Sequence, residues 1–284
     1  MQSVFQSIIL GIIQGLTEFL PISSTAHLRI VPALFHWNDP GTAFSAVIQL
    51  GTMLAVVIYF WKDLIRIYGA LIKDMVLCCR DGVTPSLRSY DSKLAFWILL
   101  GTIPICAFGL LFKDSIESGM VRKLNLIAFY LIFFGLLLFI SEMFAKEKRR
   151  LISINVLDVL LIGLTQSFAL IPGVSRSGVT LLSGLILGFR RTDAARFSFL
   201  LSVPAVLLSG CLELNTLIVN IKQATDTIFW TNLLAGIITA CISGYFTIDF
   251  LLKYLQTHKT HVFVVYRILL GALVIYLNWR GVIR

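Results

Sequence analysis

The sequence is poor in charged residues, and its long apolar stretches lack alternation between polar and apolar positions. Only 14% of the 284 residues are charged, 57% are hydrophobic, and the mean hydropathy is +0.88. A soluble domain is about a quarter charged, so this composition excludes the water-soluble classes. Apolar runs without a two-residue period also argue against a transmembrane barrel. The sequence therefore predicts an all-α polytopic membrane protein.

Metal-ligand cysteine spacing and a secretory leader are also missing. The five cysteines show no ligand spacing and three lie in apolar runs, which predicts buried thiols and no disulfide framework. Met1-Gln-Ser-Val has no basic region and no cleavage site follows it, so no signal peptide is expected. The net charge of +9 is attributed to basic residues that collect in the cytoplasmic loops of membrane proteins. No nucleic-acid partner is expected.

Four of the ten apolar stretches form two short, interrupted pairs. Pro21-Ile-Ser-Ser-Thr-Ala-His27 breaks the first pair, and Pro172-Gly-Val-Ser-Arg-Ser-Gly178 breaks the second. Neither half is comfortably long enough to cross a bilayer, so each pair is predicted to be a re-entrant helix–loop–helix. Irregular backbone at this depth must be buried in protein or line a wet cavity. The ten stretches are residues 4–20, 22–35, 42–61, 94–112, 124–143, 155–171, 178–189, 197–212, 228–252 and 262–279.

Short segments of the first half recur in the same order in the second half. Gly11-Ile-Ile-Gln14 matches Gly163-Leu-Thr-Gln166, and a Phe-Trp pair also recurs. This predicts a duplication within one membrane domain, with repeats at about residues 1–145 and 151–284. Each repeat holds one re-entrant pair and three transmembrane helices. Because three is odd, the second repeat enters from the opposite side, and the fold is an inverted repeat.

The basic residues divide unequally between the two sets of loops that this topology creates. Sixteen fall on one face and seven on the other, with Arg176 left inside. The positive-inside rule places the richer face in the cytoplasm and both termini outside. The sixteen are Lys62, Arg66, Lys73, Arg80, Arg88, Lys93, Lys146, Lys148, Arg149, Arg150, Arg190, Arg191, Arg196, Lys253, Lys259 and Arg267; the seven are Arg29, Lys113, Arg122, Lys123, Lys222, Arg280 and Arg284.

Three ionisable residues fall at membrane depth, where such groups are costly and are functional candidates: Glu18, His27 and Arg176. Gln14 lies four residues before Glu18, so both share a helix face. A carboxylate beside a carboxamide suits a divalent cation, Mg²⁺ or Ca²⁺, or the positioning of water. A structural hydrogen bond is the alternative role for Glu18.

Hydroxyl groups cluster after both breaks. Ser23, Ser24 and Thr25 open the second half-helix of the first pair, where they can cap amides or help to bind an anion. His27 follows on the same face and offers a proton donor or a nucleophile, although a lone histidine is as often structural.

The motif Pro172-Gly-Val-Ser-Arg-Ser-Gly-Val-Thr180 carries the stronger signal. Arg176 supplies a fork that matches phosphate oxygens, with a structural ion pair to Glu18 as the alternative. The two clusters occupy equivalent places in opposed repeats and are expected to converge near mid-membrane. Donors, one cation, one acid and one histidine suit phosphoryl chemistry on a lipid.

Gln14-Gly-Leu-Thr-Glu18-Phe-Leu-Pro-Ile-Ser-Ser-Thr-Ala-His27 and the Pro172–Thr180 motif resemble the two signature motifs of the bacterial undecaprenyl-diphosphatase family of the bacitracin-resistance type. Ala46-Val-Ile-Gln-Leu-Gly51 and Phe197-Ser-Phe-Leu-Leu-Ser-Val-Pro204 are also similar to that family. The likeness extends over about residues 4–280. It implies an inner-membrane phosphatase that hydrolyses undecaprenyl diphosphate to undecaprenyl phosphate and inorganic phosphate, recycling the carrier lipid of cell-wall synthesis.

Two positions depart from the family pattern. Gln14 stands where many members have glutamate, which weakens a two-carboxylate metal site, and Ala26 stands where glycine is frequent. The second change is expected to tighten the turn without altering the chemistry.

The resemblance also implies roles for individual residues. Arg176 would bind the diphosphate, and Glu18 with Gln14 would hold a divalent cation or orient the nucleophile. His27 is the first choice for proton transfer or nucleophilic attack, and Ser24 is the rival nucleophile. A covalent intermediate and direct water attack both stay open. The remaining substrate-binding candidates are Ser23, Thr25, Ser175, Ser177, Thr180 and Gln49, with Ser202 as a second-tier position.

The main alternative function is a polyprenyl-phosphate flippase or transporter, since inverted repeats with broken helices are a transporter architecture. Such a carrier would use Arg176 to hold the headgroup and would need neither Glu18 nor His27 for turnover. The sequence leaves the oligomeric state open, with a homodimer as one option.

The site is predicted to open to the periplasm. Both ends of the first re-entrant pair lie outside by the charge count, and the short polar turn His36-Trp37-Asn-Asp-Pro-Gly41 leaves that side uncovered. The cytoplasmic flank is instead crowded with Arg190, Arg191 and Arg196. In the resembling family the diphosphate is released on the periplasmic side by glycan polymerisation.

Overall fold

The computed structural model describes residues 3–81, 89–113, 123–220 and 227–283. These form eleven α-helices, numbered here in chain order, and two short 3-10 helices, Leu151–Ser153 and Ser167–Leu170. The α-helices are α1 (Val4–Phe19), α2 (Ser24–Leu34), α3 (Gly41–Tyr59), α4 (Trp61–Asp81), α5 (Tyr90–Leu111), α6 (Leu124–Phe144), α7 (Val156–Gln166), α8 (Arg176–Ile186), α9 (Arg191–Asn220), α10 (Thr227–Thr257) and α11 (His261–Trp279).

The all-α polytopic membrane fold is confirmed, because each of the ten apolar stretches coincides with a helix. Within the described residues, α5, α6, α9, α10 and α11 are long and apolar enough to cross a membrane, and α3 with α4 forms a bent sixth candidate. Four of the basic residues in the charge count, Arg88, Arg122, Lys222 and Arg284, lie outside the described residues.

The two interrupted pairs are α1–α2 and α7–α8, broken at the predicted places. Helices α2, α7 and α8 have 11 residues each, or roughly 16 Å at the usual rise, half of a bilayer core. Both pairs begin with a capping box, Ser3 with Gln6 and Asn155 with Asp158. Each box satisfies the first amides of its helix.

Each interrupted pair packs on the opposite half of the chain. Helix α1 lies along α10, and α7 lies along α5. Glycines permit these close approaches: a Cβ on Gly11 would lie 2.4 Å from the Gly236 carbonyl, and one on Gly163 would lie 2.5 Å from the Gly101 carbonyl. The two interrupted pairs therefore pack reciprocally across the two halves of the chain. The repeat boundaries and their opposite orientation stay predictions.

The segment after α3 is a helix, where a loop was predicted. The chain bends by 81° after Tyr59 and continues as α4. The basic residues Lys62, Arg66, Lys73 and Arg80 therefore lie along a helix. The loop prediction was wrong because it relied on continuous apolar stretches, whereas α4 mixes charged and apolar residues.

The prediction of buried thiols was also wrong. Cys211 and Cys79 are exposed, and Cys78, Cys106 and Cys241 are partly exposed. An apolar run in a membrane protein can face lipid as well as protein, so burial does not follow from hydrophobic neighbours.

A buried carboxylate joins three helices at the end of the bundle that carries most basic residues. Glu142 at the end of α6 accepts hydrogen bonds from Arg191 (Nη2, 2.8 Å) and from Thr260 (backbone N, 3.0 Å; Oγ1, 2.8 Å). Its side chain is fully buried. The carboxylate therefore connects the start of α9 and the α10–α11 turn to α6.

Glu142→Gln is expected to destabilise the folded protein by roughly 3 kcal/mol, because it leaves the Arg191 charge partly unpaired in a buried position. The thermal transition of the purified protein in detergent measures this loss. Asp249→Asn, which breaks an exposed pair with Lys253, serves as the control and should leave the transition nearly unchanged. Equal losses in the two variants would contradict the role of Glu142.

Candidate active site

The two breaks share one unusual backbone conformation. Ser23 has φ 72° and ψ 98°, and Ser175 has φ 74° and ψ 112°. Non-glycine residues at positive φ are strained and cluster at functional sites. Because α2 begins immediately after Ser23 and α8 immediately after Ser175, Ser24 and Arg176 occupy equivalent first positions of their half-helices.

Glu18 is the point where the two loops meet. Its Oε2 accepts hydrogen bonds from Ser24 Oγ at 2.5 Å and from Gln14 Nε2 at 2.8 Å, and its Oε1 accepts one from Arg176 Nη2. The Glu18 side chain is only 4% exposed and that of Arg176 is 14% exposed. The convergence predicted from the sequence is therefore present. The ion pair between Glu18 and Arg176, the structural alternative for Arg176, is present as well.

The hydroxyls around this carboxylate bond mainly to their own loops. Ser23 and Thr25 contact each other through their side-chain oxygens at 3.2 Å, as do Ser175 and Ser177. Ser177 Oγ also donates to the Leu20 carbonyl at 3.0 Å, which joins the second loop to the first. Thr180 Oγ1 lies 2.5 Å from Ser198 Oγ in α9 and donates to the Arg176 carbonyl at 2.8 Å. These bonds fix the loops around Glu18.

A cavity of about 410 Å³ opens beside Glu18 and Arg176. Its walls are mostly apolar and come from α5, the Ser167–Leu170 helix and α9. Lys113, just after α5, and Glu213, in the C-terminal part of α9, also line it. An apolar cavity with a few convergent polar groups is the usual form of a ligand site. The predicted site residues that line it are Glu18, Ser23, Ser24, Thr25, Gln49, Ser175 and Arg176; Gln14, His27, Ser177 and Thr180 do not line it.

His27 is held away from the cavity by two hydrogen bonds. Its Nδ1 lies 2.7 Å from the Ser23 carbonyl, and its Nε2 lies 2.7 Å from the Tyr266 hydroxyl. A carbonyl can only accept, so Nδ1 carries a proton, and in the neutral ring Nε2 accepts from Tyr266. The ring therefore braces the strained residue Ser23 against α11. Its role in proton transfer or nucleophilic attack stays a prediction, and these contacts favour Ser24 as the nucleophile.

Arg267 belongs to this region, although the charge count placed it in a cytoplasmic loop. It is fully buried in α11. Its guanidinium donates to the carbonyls of Pro21 in the first loop (3.1 Å) and of Gly173 and Val174 in the second (2.9 and 3.0 Å). Arg267 thus ties the two loops together. Arg267 could have been found from the sequence, because it lies inside the apolar stretch 262–279. An ionisable residue at membrane depth is the feature that identified Arg176 as a candidate.

The oxygen ligands available for a cation are few. Among the described residues, histidine, cysteine, aspartate and glutamate form no group of three that could hold a metal. Glu18 is the carboxylate at the site, and Gln14 Oε1 is buried without a hydrogen-bond partner. The backbone carbonyl of Ser202, a second-tier candidate, accepts a hydrogen bond from Arg176 Nη1 at 3.4 Å.

The fold and the site define a polytopic membrane protein in which a carboxylate, a guanidinium and a serine hydroxyl meet inside the bundle beside an apolar cavity. The chain belongs to the family of the bacitracin resistance protein BacA, whose family model matches residues 7–273.

Its relatives match it over nearly the whole chain. The undecaprenyl-diphosphatase of Gloeobacter violaceus is 47% identical over 285 residues, covering 99% of this chain and 93% of the relative. That of Chlorobium phaeovibrioides is 47% identical and covers 98% of both chains. That of Chlorobaculum tepidum is 49% identical and covers 95% of both.

Proposed function

We propose that this protein is a membrane phosphatase that hydrolyses undecaprenyl diphosphate to undecaprenyl phosphate and inorganic phosphate, and so recycles the lipid carrier of cell-wall synthesis. Membership of the BacA family and relatives named undecaprenyl-diphosphatase support this activity. The observation that carries it is the contact of Glu18 with both Ser24 and Arg176. A general base, a nucleophile and a phosphate-binding cation are thereby in contact before substrate binds.

In the first step, Arg176 binds the terminal phosphate through its planar fork. Ser24 Oγ attacks the terminal phosphorus while its proton passes to Glu18, and the bond from that phosphorus to the bridging oxygen breaks. The products are undecaprenyl phosphate and a phosphoserine. The 2.5 Å contact between Ser24 Oγ and Glu18 Oε2 supports this transfer.

In the second step, water attacks the phosphoserine and inorganic phosphate leaves. The proton lost by the water and the proton held by Glu18 are released or returned to Ser24, so both side chains recover their starting state. Arg176 neutralises charge throughout, which is the main protein contribution to phosphoryl transfer.

Glu18 and Gln14 are the residues proposed to hold a divalent cation, Mg²⁺ or Ca²⁺. Gln14 Oε1 is buried without a partner and Glu18 supplies carboxylate oxygens. Sites with one or two carboxylates commonly complete the coordination of Mg²⁺ with water and substrate phosphate. A cation bound there would neutralise part of the diphosphate charge.

Gln14→Glu is expected to lower the Mg²⁺ or Ca²⁺ concentration needed for half-maximal activity, because a second carboxylate strengthens the site. Phosphate release measured against free cation concentration checks this. Gln14→Leu removes the amide oxygen and should raise the required concentration. An unchanged cation dependence in both variants would contradict the assignment of Gln14.

The cavity is proposed to open to the periplasm. It is lined by the C-terminal parts of α5 and α9 and by Lys113 just after α5, whereas Arg191, at the start of α9, belongs to the basic end of the bundle. The positive-inside rule assigns that basic end to the cytoplasm. The apolar wall is suited to the first isoprene units of the lipid, with the rest of the chain in the bilayer. Both termini are then periplasmic, and the multi-pass chain resides in the inner membrane.

In a cysteine-free background, Ser24→Cys is expected to react with a membrane-impermeant thiol reagent from the periplasmic side of oriented vesicles, with substrate slowing the reaction. His258→Cys, in the exposed turn between α10 and α11, is the control and should react only from the cytoplasmic side. Reaction of both cysteines from the same side would refute the proposed sidedness.

The activity itself is tested by phosphate release from a polyprenyl diphosphate by the purified protein in detergent, with and without a chelator. We expect one inorganic phosphate and one polyprenyl phosphate for each substrate consumed. The flippase alternative predicts no release under any cation condition, whereas the relatives described above are named diphosphatases. A homodimer stays a prediction that sedimentation of the purified protein checks.

A further inference from the structure

Helix α4 has no part in the proposed active site and needs another explanation. It leaves α3 at an angle of 81° and has 21 residues, about 31 Å at the usual rise. Because α3 packs along α9 and α10, which are long and apolar enough to cross a membrane, a helix at this angle to α3 runs nearly parallel to the membrane plane. It also starts at the end of the bundle that carries most basic residues.

One side of α4 is fixed to the protein. Leu64, Ile67 and Leu71 are buried, and the helix packs along α5. Asp63 pairs with Arg196 of α9, and Arg66 pairs with Asp91 at the start of α5. These contacts fix the rotation of α4 about its axis, so its outward faces are determined.

A second side of α4 presents large apolar groups outwards. Trp61, Ile65, Ile72, Met75 and Val76 are 55–61% exposed. At 100° per residue they fall within one sector of roughly 100°, adjacent to the buried sector. A contiguous exposed apolar stripe of this size is typical of a surface that contacts lipid or another protein.

A basic stripe lies directly beside this apolar one. Lys62, Arg66, Lys73 and Arg80 are spaced by four, seven and seven residues, so they share a narrow sector next to the apolar face. Lys62 and Lys73 are exposed and form no ion pair within the described part of the chain. Around the helix, the side that packs on the protein is therefore followed by the apolar stripe and then by the basic stripe. This order matches a helix embedded at the level of the lipid headgroups.

We propose that α4 is an interfacial helix that binds anionic phospholipids of the leaflet at the basic end of the protein. Its apolar stripe enters the acyl region, and the Lys62 and Lys73 ammonium groups bind lipid phosphates. This site is separate from the proposed active site and does not depend on the proposed function.

Trp61 provides a reporter on α4 itself. A variant that keeps Trp61 and replaces Trp37, Trp97, Trp230 and Trp279 with phenylalanine is reconstituted into mixed phosphatidylcholine and phosphatidylglycerol vesicles. Two preparations of equal composition are compared, with bromine atoms on the acyl chains of only one of the two lipids. Fluorescence quenching in each preparation reports which lipid lies beside Trp61.

We expect phosphatidylglycerol to be enriched beside Trp61, relative to the bulk lipid mixture, by about 5-fold for each lysine that contributes fully. This enrichment should fall in high salt, which screens the lysine charges. Lys62→Gln with Lys73→Gln should bring the enrichment close to that of the bulk mixture. Lys259→Gln, at an exposed position in the α10–α11 turn, should leave it unchanged.

Absence of quenching by either brominated lipid would overturn the interfacial placement. Quenching in proportion to bulk composition, or enrichment that survives loss of both lysines, would overturn the lipid-binding site. Phosphate release by each variant confirms that the folded protein is being compared, since none of these residues belongs to the proposed active site.

Discussion

Replacing Glu18 with glutamine is expected to lower the turnover number by roughly 10²–10⁴-fold, the range typical for loss of a general base. Glutamine keeps the size of the side chain. Its single oxygen can accept from Arg176 while its amide nitrogen donates to Ser24 Oγ, so the loops should stay together. It cannot take the Ser24 proton at neutral pH. Steady-state phosphate release by the purified variant measures this effect.

Two further variants separate the chemistry from binding. Arg176→Lys keeps the charge but loses the fork, and should reduce kcat/KM by at least about 10-fold, or about 1.4 kcal/mol. His27→Gln should leave substrate binding closer to normal than Arg176→Lys does. Near-normal turnover in all three variants would show that the site has been assigned to the wrong residues.

Replacing Arg267 with methionine is expected to reduce the turnover number by about 10²-fold, although Arg267 does not line the cavity. Methionine has a similar length but donates no hydrogen bond, so the carbonyls of Pro21, Gly173 and Val174 lose their shared donor. The two loops are then free to separate, and Arg176 loses its alignment with Glu18. Arg267→Lys keeps one charged donor, so its turnover number should lie between that of Arg267→Met and that of the natural protein.

Glu142→Gln is the matched control for Arg267, because both residues are buried and charged and both join helices of the two halves. Glu142→Gln should lower the thermal transition while keeping the turnover number below that transition. Arg267→Met should lower the turnover number even where the protein is fully folded. If both variants changed the thermal transition and the turnover number in the same way, Arg267 would only stabilise the fold.

Much of the fold could be predicted because the bilayer leaves few options. The apolar stretches had to be helices, and the polar clusters after Pro21 and Pro172 located the two breaks. Helix α4 was missed because it mixes charged and apolar residues and has no continuous apolar run. Arg267 was misplaced because the charge count assigned it to a loop from its position near the start of an apolar stretch.

The site was predictable to the level of residue type. The convergence of Glu18, Ser24 and Arg176 followed from the equivalent places of the two interrupted clusters in the repeats. The orientation of His27 could not be predicted, because it depends on Tyr266, which is 239 residues away in sequence. Local sequence places a side chain on a helix face, whereas distant packing decides which neighbour it contacts.

Ser24 is the proposed nucleophile of a hydrolytic site that Glu18 and Arg176 complete. Rapid mixing of the purified protein with a polyprenyl diphosphate radiolabelled in its terminal phosphate, followed by an acid quench and peptide mapping, tests it most directly. We predict a transient, acid-stable label on the peptide that contains Ser24, absent from Ser24→Ala. An acid-labile label on His27, or full turnover with no label on the protein, would contradict the account.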